Sequence, residues 1–188
     1  LFVINNKKGR DKMKQKQKVD KKWILIITSI AFTISLLLSL ISELIIPNVF
    51  IIISIILVLI FILLGIIFDI IGVAVSTSDD KSFHSMASQK VMGSKTAINF
   101  IKNKEKVSSF CNDVIGDICG VVSGSCGLSI AIKLSNMLNI NPIITTVLIT
   151  STISALTIGG KAIGKTYAVT KNNQIVYKTA KIMNIFSK

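Results

Sequence analysis

Apolar positions gather into four long runs separated by polar, lysine-rich stretches. The clearest is 51–75, IIISIILVLIFILLGIIFDIIGVAV, 25 residues with no Lys or Arg and one charge, Asp69. As a helix it is about 37 Å long at roughly 1.5 Å per residue, enough to cross a hydrocarbon layer of about 30 Å. A run that is apolar on every side predicts a membrane span rather than one face of a soluble helix. Residues 23–41 predict a first span, opened by Trp23 where an interfacial aromatic belongs. Residues 113–134, rich in Gly and Ser, predict a third, and 143–160, laden with Thr and Ser, a fourth. Short turns join them at 42–48, with Glu43 and Pro47, and at Asn139-Ile140-Asn141-Pro142.

The polar stretches have their own pattern. Residues 1–22 form a basic arm. Residues 79–107 hold Phe83, Met86, Ala87, Val91, Ala97, Ile98 and Ile101 at helical spacing. This predicts two short amphipathic helices on the inner membrane surface, broken near Gly93. Ser76-Thr77-Ser78 before Asp79 and Asp80 reads as a Ser cap, with acids at the positive end of the first. The tail 161–188 is basic again, and its apolar periodicity near 175–186 suits a helix lying along the membrane. The expected fold is an all-α integral membrane protein with four transmembrane helices in one domain, 23–160. Short amphipathic juxtamembrane helices accompany them, and both termini are cytoplasmic.

Charge decides the orientation. The chain carries 22 Lys and Arg against 9 acids, for a net charge of +13. Nine basic residues precede the first span, six lie in 79–107 and six in 161–188, all on one side. Only Lys133 falls on the other. The positive-inside rule then gives a multi-pass protein of the cell (inner or plasma) membrane. In a soluble chain such charge would suggest nucleic acid. Here the arm has no interleaved aromatics or recognisable module, and anionic lipid is the better partner. Cys111, Cys119 and Cys126 form neither a disulfide framework nor a CxxC motif, and read as reduced packing residues. With no phosphate loop, nucleophile elbow or metalloprotease motif, an enzyme reading has no residues to stand on.

Small and polar positions fall into stripes. At about 100° per residue, Ser54, Gly65, Asp69, Gly72 and Ser76 share an arc of about 60° on the second span. Asp113, Gly116, Asp117, Gly120, Gly124 and Gly127 share one of about 100° on the third, with Cys119 and Cys126 roughly opposite. Thr146, Thr150, Ser154, Thr157, Gly160 and Gly164 share a side of the fourth. Helix packing accounts for the glycines, since a small-xxx-small repeat lets membrane helices approach closely. It does not account for a carboxylate within a span, which is costly and by default functional. Asp113 and Asp117, at the start of their span, read equally as ion ligands or as acids on the helix dipole. Oxygen ligands without His or Cys suit a hard cation such as Mg²⁺. His84, beside Asp79 and Asp80, reads as incidental.

From about 65 to 180 the chain resembles the transmembrane domain of the CNNM/CorC family, including its CorB-type members, associated with magnesium and cobalt transport. The family's F-S-G-x-E-x-A-L-x-S-like helix end is matched by Phe68, Ala74 and Thr77 within Phe68-Asp69-Ile70-Ile71-Gly72-Val73-Ala74-Val75-Ser76-Thr77. Gly93-Ser94-Lys95-Thr96-Ala97 through Asn103 resembles its connecting helix. Its G-E-x-L-P-K-S motif is matched at Gly160, Lys165 and Thr166, with Ala168 beyond. Gly72 and Lys161 stand at the family's two glutamate positions and Gly164 at its proline, and the family's CBS pair has no counterpart. The resemblance implies a divalent-cation (Mg²⁺ or Co²⁺) transport protein, dimeric, without a resident cofactor. The expected ion site is Asp69, Ser76, Thr77, Asn112, Asp113 and Asp117, in a pocket open to the cytoplasm. The alternative is a non-transporting scaffold or regulatory protein of the same fold, with Lys161 neutralising Asp69.

Overall fold

The computed structural model describes residues 21–186. All but the last two residues of the basic arm, and residues 187–188 of the tail, lie outside that range. The elements among the described residues are all helices: α1 (Lys21–Ile45), a 3-10 turn (Ile46–Asn48), α2 (Ile51–Thr77), α3 (Lys81–Ser88), α4 (Ser94–Lys102) and α5 (Lys104–Ser109). A π-helical segment (Phe110–Gly116), α6 (Asp117–Leu138), α7 (Pro142–Thr170) and α8 (Asn172–Phe186) complete the chain. Four stretches are long and apolar enough to cross a membrane, Lys22–Ile45, Ile51–Thr77, Lys104–Leu138 and Pro142–Thr170. They include all four expected spans, and the chain is a multi-pass membrane protein on that basis.

The boundaries differ most in the third and fourth spans. The third helix starts at Lys104 rather than near 113, running through the π segment without a break. The fourth continues to Thr170 rather than ending at 160: no proline interrupts it, and Ala168 is fully buried in a cluster with Ala74 and Val75 of α2. Two short helices, α3 and α4, lie between α2 and the third long stretch, and α5 opens that stretch. Gly93 makes the expected break at a left-handed φ of 87°, a conformation that favours glycine, and Asn103 makes a second.

The Ser cap on α3 does not form. Asp80 occupies the cap position without a side-chain hydrogen bond. The hydroxyls of Ser76 and Thr77 donate to the Val73 carbonyl, and that of Ser78 to Ala74, so they serve the end of α2 instead.

Helix α2 is the hub. It packs on α6, α7 and the π segment, while α1 leans on α6. The buried positions Ser54, Val58, Ile62, Gly65, Asp69 and Gly72 form one continuous face of α2, because steps of three and four residues return to the same side of a helix. Val58, Ile62, Val114, Ile118, Val122, Ile130 and Ile153 share one aliphatic core. A second, at the lysine-rich end, joins Ala74, Val75, Phe83, Ala97, Phe100, Ile101, Ala168, Val176 and Ala180. This core holds α4 and α8 against the ends of α2 and α7. The outward Leu and Ile side chains of α1, α2 and α7 are exposed, as a lipid-facing surface requires. At the opposite end Lys133 donates to the carbonyl of Val49, tying the first turn down, and Asn141 caps α7 by accepting from the Ile143 amide at 2.9 Å.

Candidate functional site

Asp69 is the buried carboxylate of α2, only 3% exposed, two turns before the helix ends. Glycines bring a cation to it. A Cβ at Gly160 would collide with Ile66, and one at Gly164 would come within 2.8 Å of Ile70, so these two positions let α7 close on α2. Lys161 and Lys165, next to them and one turn apart, are carried into the same contact.

Two ion pairs result. Lys165 Nζ lies 3.6 Å from Asp69 Oδ2, with the lysine side chain 53% exposed and the aspartate 4%. Lys161 Nζ bonds Asp117 Oδ1 at 3.1 Å, and here the burial is reversed, 17% for the lysine and 66% for the aspartate. The Lys161 ammonium reaches into the junction of α2 and the π segment, 3.7 Å from where a Cβ on Gly116 would stand. Asp69 is therefore neutralised by Lys165 and not by Lys161, which the sequence pointed to. Lys161 sits one turn deeper, beside Gly116 and Asp117 rather than Asp69.

The π segment supplies the neighbouring amide. A π turn holds more residues than an α turn and so rotates the side chains that follow it. Val114 goes into the core at 1% exposure, Asp113 turns outward, and Asn112 lies over Gly72 of α2. A Cβ at position 72 would collide with Asn112 Oδ1, so glycine is what admits the amide. Asn112 Nδ2 donates to Ser108 Oγ at 3.4 Å. Asp69 Oδ2 and Asn112 Oδ1 are buried and receive no hydrogen bond. A 3.6 Å separation makes Lys165 a Coulombic neighbour of Asp69 rather than a hydrogen-bond donor. Gly72 is one turn beyond Asp69, and side chains three residues apart on a helix stand about 5–6 Å from each other. The buried face of α2 thus carries one acceptor oxygen without a donor at Asp69 and meets a second, from Asn112, at Gly72 one turn on, which suits a donor or a cation.

Of the six expected ligands, Asp69 and Asn112 both lie at the buried face of α2, Asn112 over Gly72, which is one turn from Asp69. Asp117 is taken by Lys161. Asp113 lines a crevice with Trp23, Thr28 and Ser109, facing α1. Ser76 and Thr77 are exposed and bonded to their own helix. Among the described residues no group of three or more His, Cys, Asp and Glu could hold a metal ion. His84 is 3.7 Å from Asp80, both half exposed at the surface. The three cysteines are free and buried, with Cys119 packed beside Gly65.

The residue whose role sequence reasoning missed is Lys165. It lies one turn from Lys161 and beside Gly164, and the small-residue stripe of the fourth span was the signal that could have found it. Comparison with protein-family models, with curated proteins and with solved structures found no match to this chain.

Proposed function

We propose that this chain is a membrane protein of the divalent-cation transport type, holding its ion at Asp69 and Asn112 and opening to the cytoplasm. The observation that carries the reading is the pair of buried acceptors without donors, Asp69 Oδ2 and Asn112 Oδ1. Charge this deep in a membrane helix needs a positive partner, and oxygen ligands alone suit Mg²⁺. One carboxylate and one amide leave most of the octahedron to retained waters, the usual way Mg²⁺ is bound. Access from the cytoplasm follows from the distribution of lysines. The CNNM/CorC resemblance points to the same ion class. Lys165 is then the resident counter-charge that an entering ion displaces, its long stem letting the ammonium swing to water.

The test is Mg²⁺ and Co²⁺ flux in proteoliposomes containing the parent chain, Asp69→Asn or Lys165→Ala. The expected result is saturable flux, abolished by Asp69→Asn and increased by Lys165→Ala.

A second reading has its own support. Both carboxylates in this region already carry a lysine, which favours a non-transporting scaffold or regulatory protein whose charges are satisfied internally. On that reading neither the parent chain nor Lys165→Ala carries flux.

A further inference from the structure

At the lysine-rich end two openings adjoin at a shared wall, Ser109. The first is a crevice of about 400 Å³ between α1 and the start of the third long helix. Ile24, Ile27, Ala31 and Val114 line its apolar part, with Trp23, Thr28 and Asp113 as its polar edge. The second is a smaller, polar pocket of about 250 Å³ formed by Ser76, Lys104, Glu105, Ser108 and Ser109. The exposed Lys106 has its ammonium 4.9 Å from the centre of the Trp23 ring, which lines the first opening.

The position of the pair is set by helix ends. Trp23 is the second residue of the first candidate span, Ser76 the last but one of the second, and Lys104 begins the third. All three lie where head groups meet hydrocarbon, the level at which an interfacial Trp settles. An opening that is apolar on the membrane side and polar on the water side fits an amphiphile. Nearby charge selects the head group. Lys22, Lys104 and Lys106 are positive and Glu105 and Asp113 negative, leaving an excess of one positive charge. The Ser108 hydroxyl accepts from Asn112 and keeps its own proton to donate.

We propose that these openings form one binding site for an anionic glycerophospholipid. Its phosphate lies in the polar pocket against Lys104 and Ser108, and an acyl chain enters the crevice between α1 and Val114. Asp113 accepts a hydrogen bond from a head-group hydroxyl, which a choline head group lacks. The inference holds whether or not Asp69 binds a cation.

The test uses native mass spectrometry of the delipidated full chain in detergent, titrated with phosphatidylglycerol or with phosphatidylcholine of the same acyl chains. Lys104→Ala, Ala31→Leu and Lys178→Ala are compared with the parent. Size-exclusion profile and circular dichroism establish that each variant is folded. Lys178, on α8, lines neither opening and reports general attraction by the basic surface. Phosphatidylglycerol is expected to bind the parent more tightly than phosphatidylcholine. Binding weakens about fivefold in Lys104→Ala, the effect of one lysine near a charged surface. It also falls in Ala31→Leu, which narrows the crevice without touching charge, and is unchanged in Lys178→Ala. Equal binding of the two lipids overturns the proposal, as does an equal loss in Lys178→Ala and Lys104→Ala. Full binding by Ala31→Leu overturns the two-part site.

Discussion

The two ion pairs of the helix junction are mirror images in burial. In one the acid is buried and the base half exposed, Asp69 with Lys165; in the other the base is mostly buried and the acid exposed, Asp117 with Lys161. The difference matters because the two buried groups have different means of escape. Lysine has a long flexible stem and can carry its ammonium to the interface when its partner is lost. Aspartate has a single methylene, and Asp69 sits on the most enclosed face of α2. A buried lysine near a membrane surface can therefore be conditional. A buried aspartate has to be answered where it stands.

The largest expected effect follows from removing that answer. Lys165→Ala strands the Asp69 carboxylate, and breaking a buried pair by deleting one partner costs about 3 kcal/mol. Unfolding of the detergent-solubilised protein by SDS titration, in the presence of EDTA, measures it. Lys165→Met keeps the alkyl stem and is expected to lose nearly as much, which assigns the loss to charge rather than packing. Added Mg²⁺ sharpens the comparison. If a divalent cation occupies Asp69 and Asn112, most of the lost stability returns on its addition, because a ligand that binds only the folded state stabilises it. A loss that Mg²⁺ leaves untouched favours the non-transporting reading.

Gly72→Ala comes next. Its Cβ has to displace the Asn112 amide, and extra volume in a packed site costs about 1–2 kcal/mol in the same SDS titration. The ion pair of Asp69 with Lys165 remains intact in this variant. Isothermal titration with Mg²⁺ is expected to show binding abolished even though Asp69 is unchanged. Retained binding would mean that Asn112 is no part of the ion site.

The sequence was informative about this region up to a definite point. Asp69 was identifiable as one charge in a run of 25 residues, and the face holding Ser54, Gly65, Asp69 and Gly72 followed from helical spacing alone. The four candidate spans followed from length and hydropathy. What helical spacing could not supply was the π segment, since the arc drawn through Asp113 and the glycines after it assumes one uniform helix. Asn112 lies toward Gly72 and its neighbour Asp113 toward α1, and the wider turn shifts the faces on which the residues after it fall. The choice of lysine was beyond reach for another reason. Whether Lys161 or Lys165 meets Asp69 depends on how far α7 slides along α2, which the seating of Gly160 on Ile66 and Gly164 on Ile70 decides. Hydroxyls were misleading as ligands, because in a helix Ser and Thr readily return their proton to a carbonyl of the preceding turn, as Ser76 and Thr77 do.

Asp117→Ala probes the other half of the mirror and has the smallest expected effect. The aspartate is mostly exposed, so its own removal leaves nothing behind that water cannot reach. Lys161 loses its 3.1 Å partner, but its stem lets the ammonium move toward the same surface that Asp117 occupied. Exposed pairs contribute about 0–1 kcal/mol, and this one is expected to stay below about 1 in the SDS titration used for Lys165→Ala. The double variant Asp117→Ala with Lys165→Ala makes the argument sharper. If the pairs are independent, the two costs add; if Lys161, freed from Asp117, slides down to Asp69, the double variant is more stable than the sum of its parts. A cost for Asp117→Ala as large as that for Lys165→Ala would mean that Lys161 is held in the helix junction by Gly116 and its neighbours and cannot leave. The mirror would then be one of equal partners, with two fixed charges at the centre of the fold rather than one.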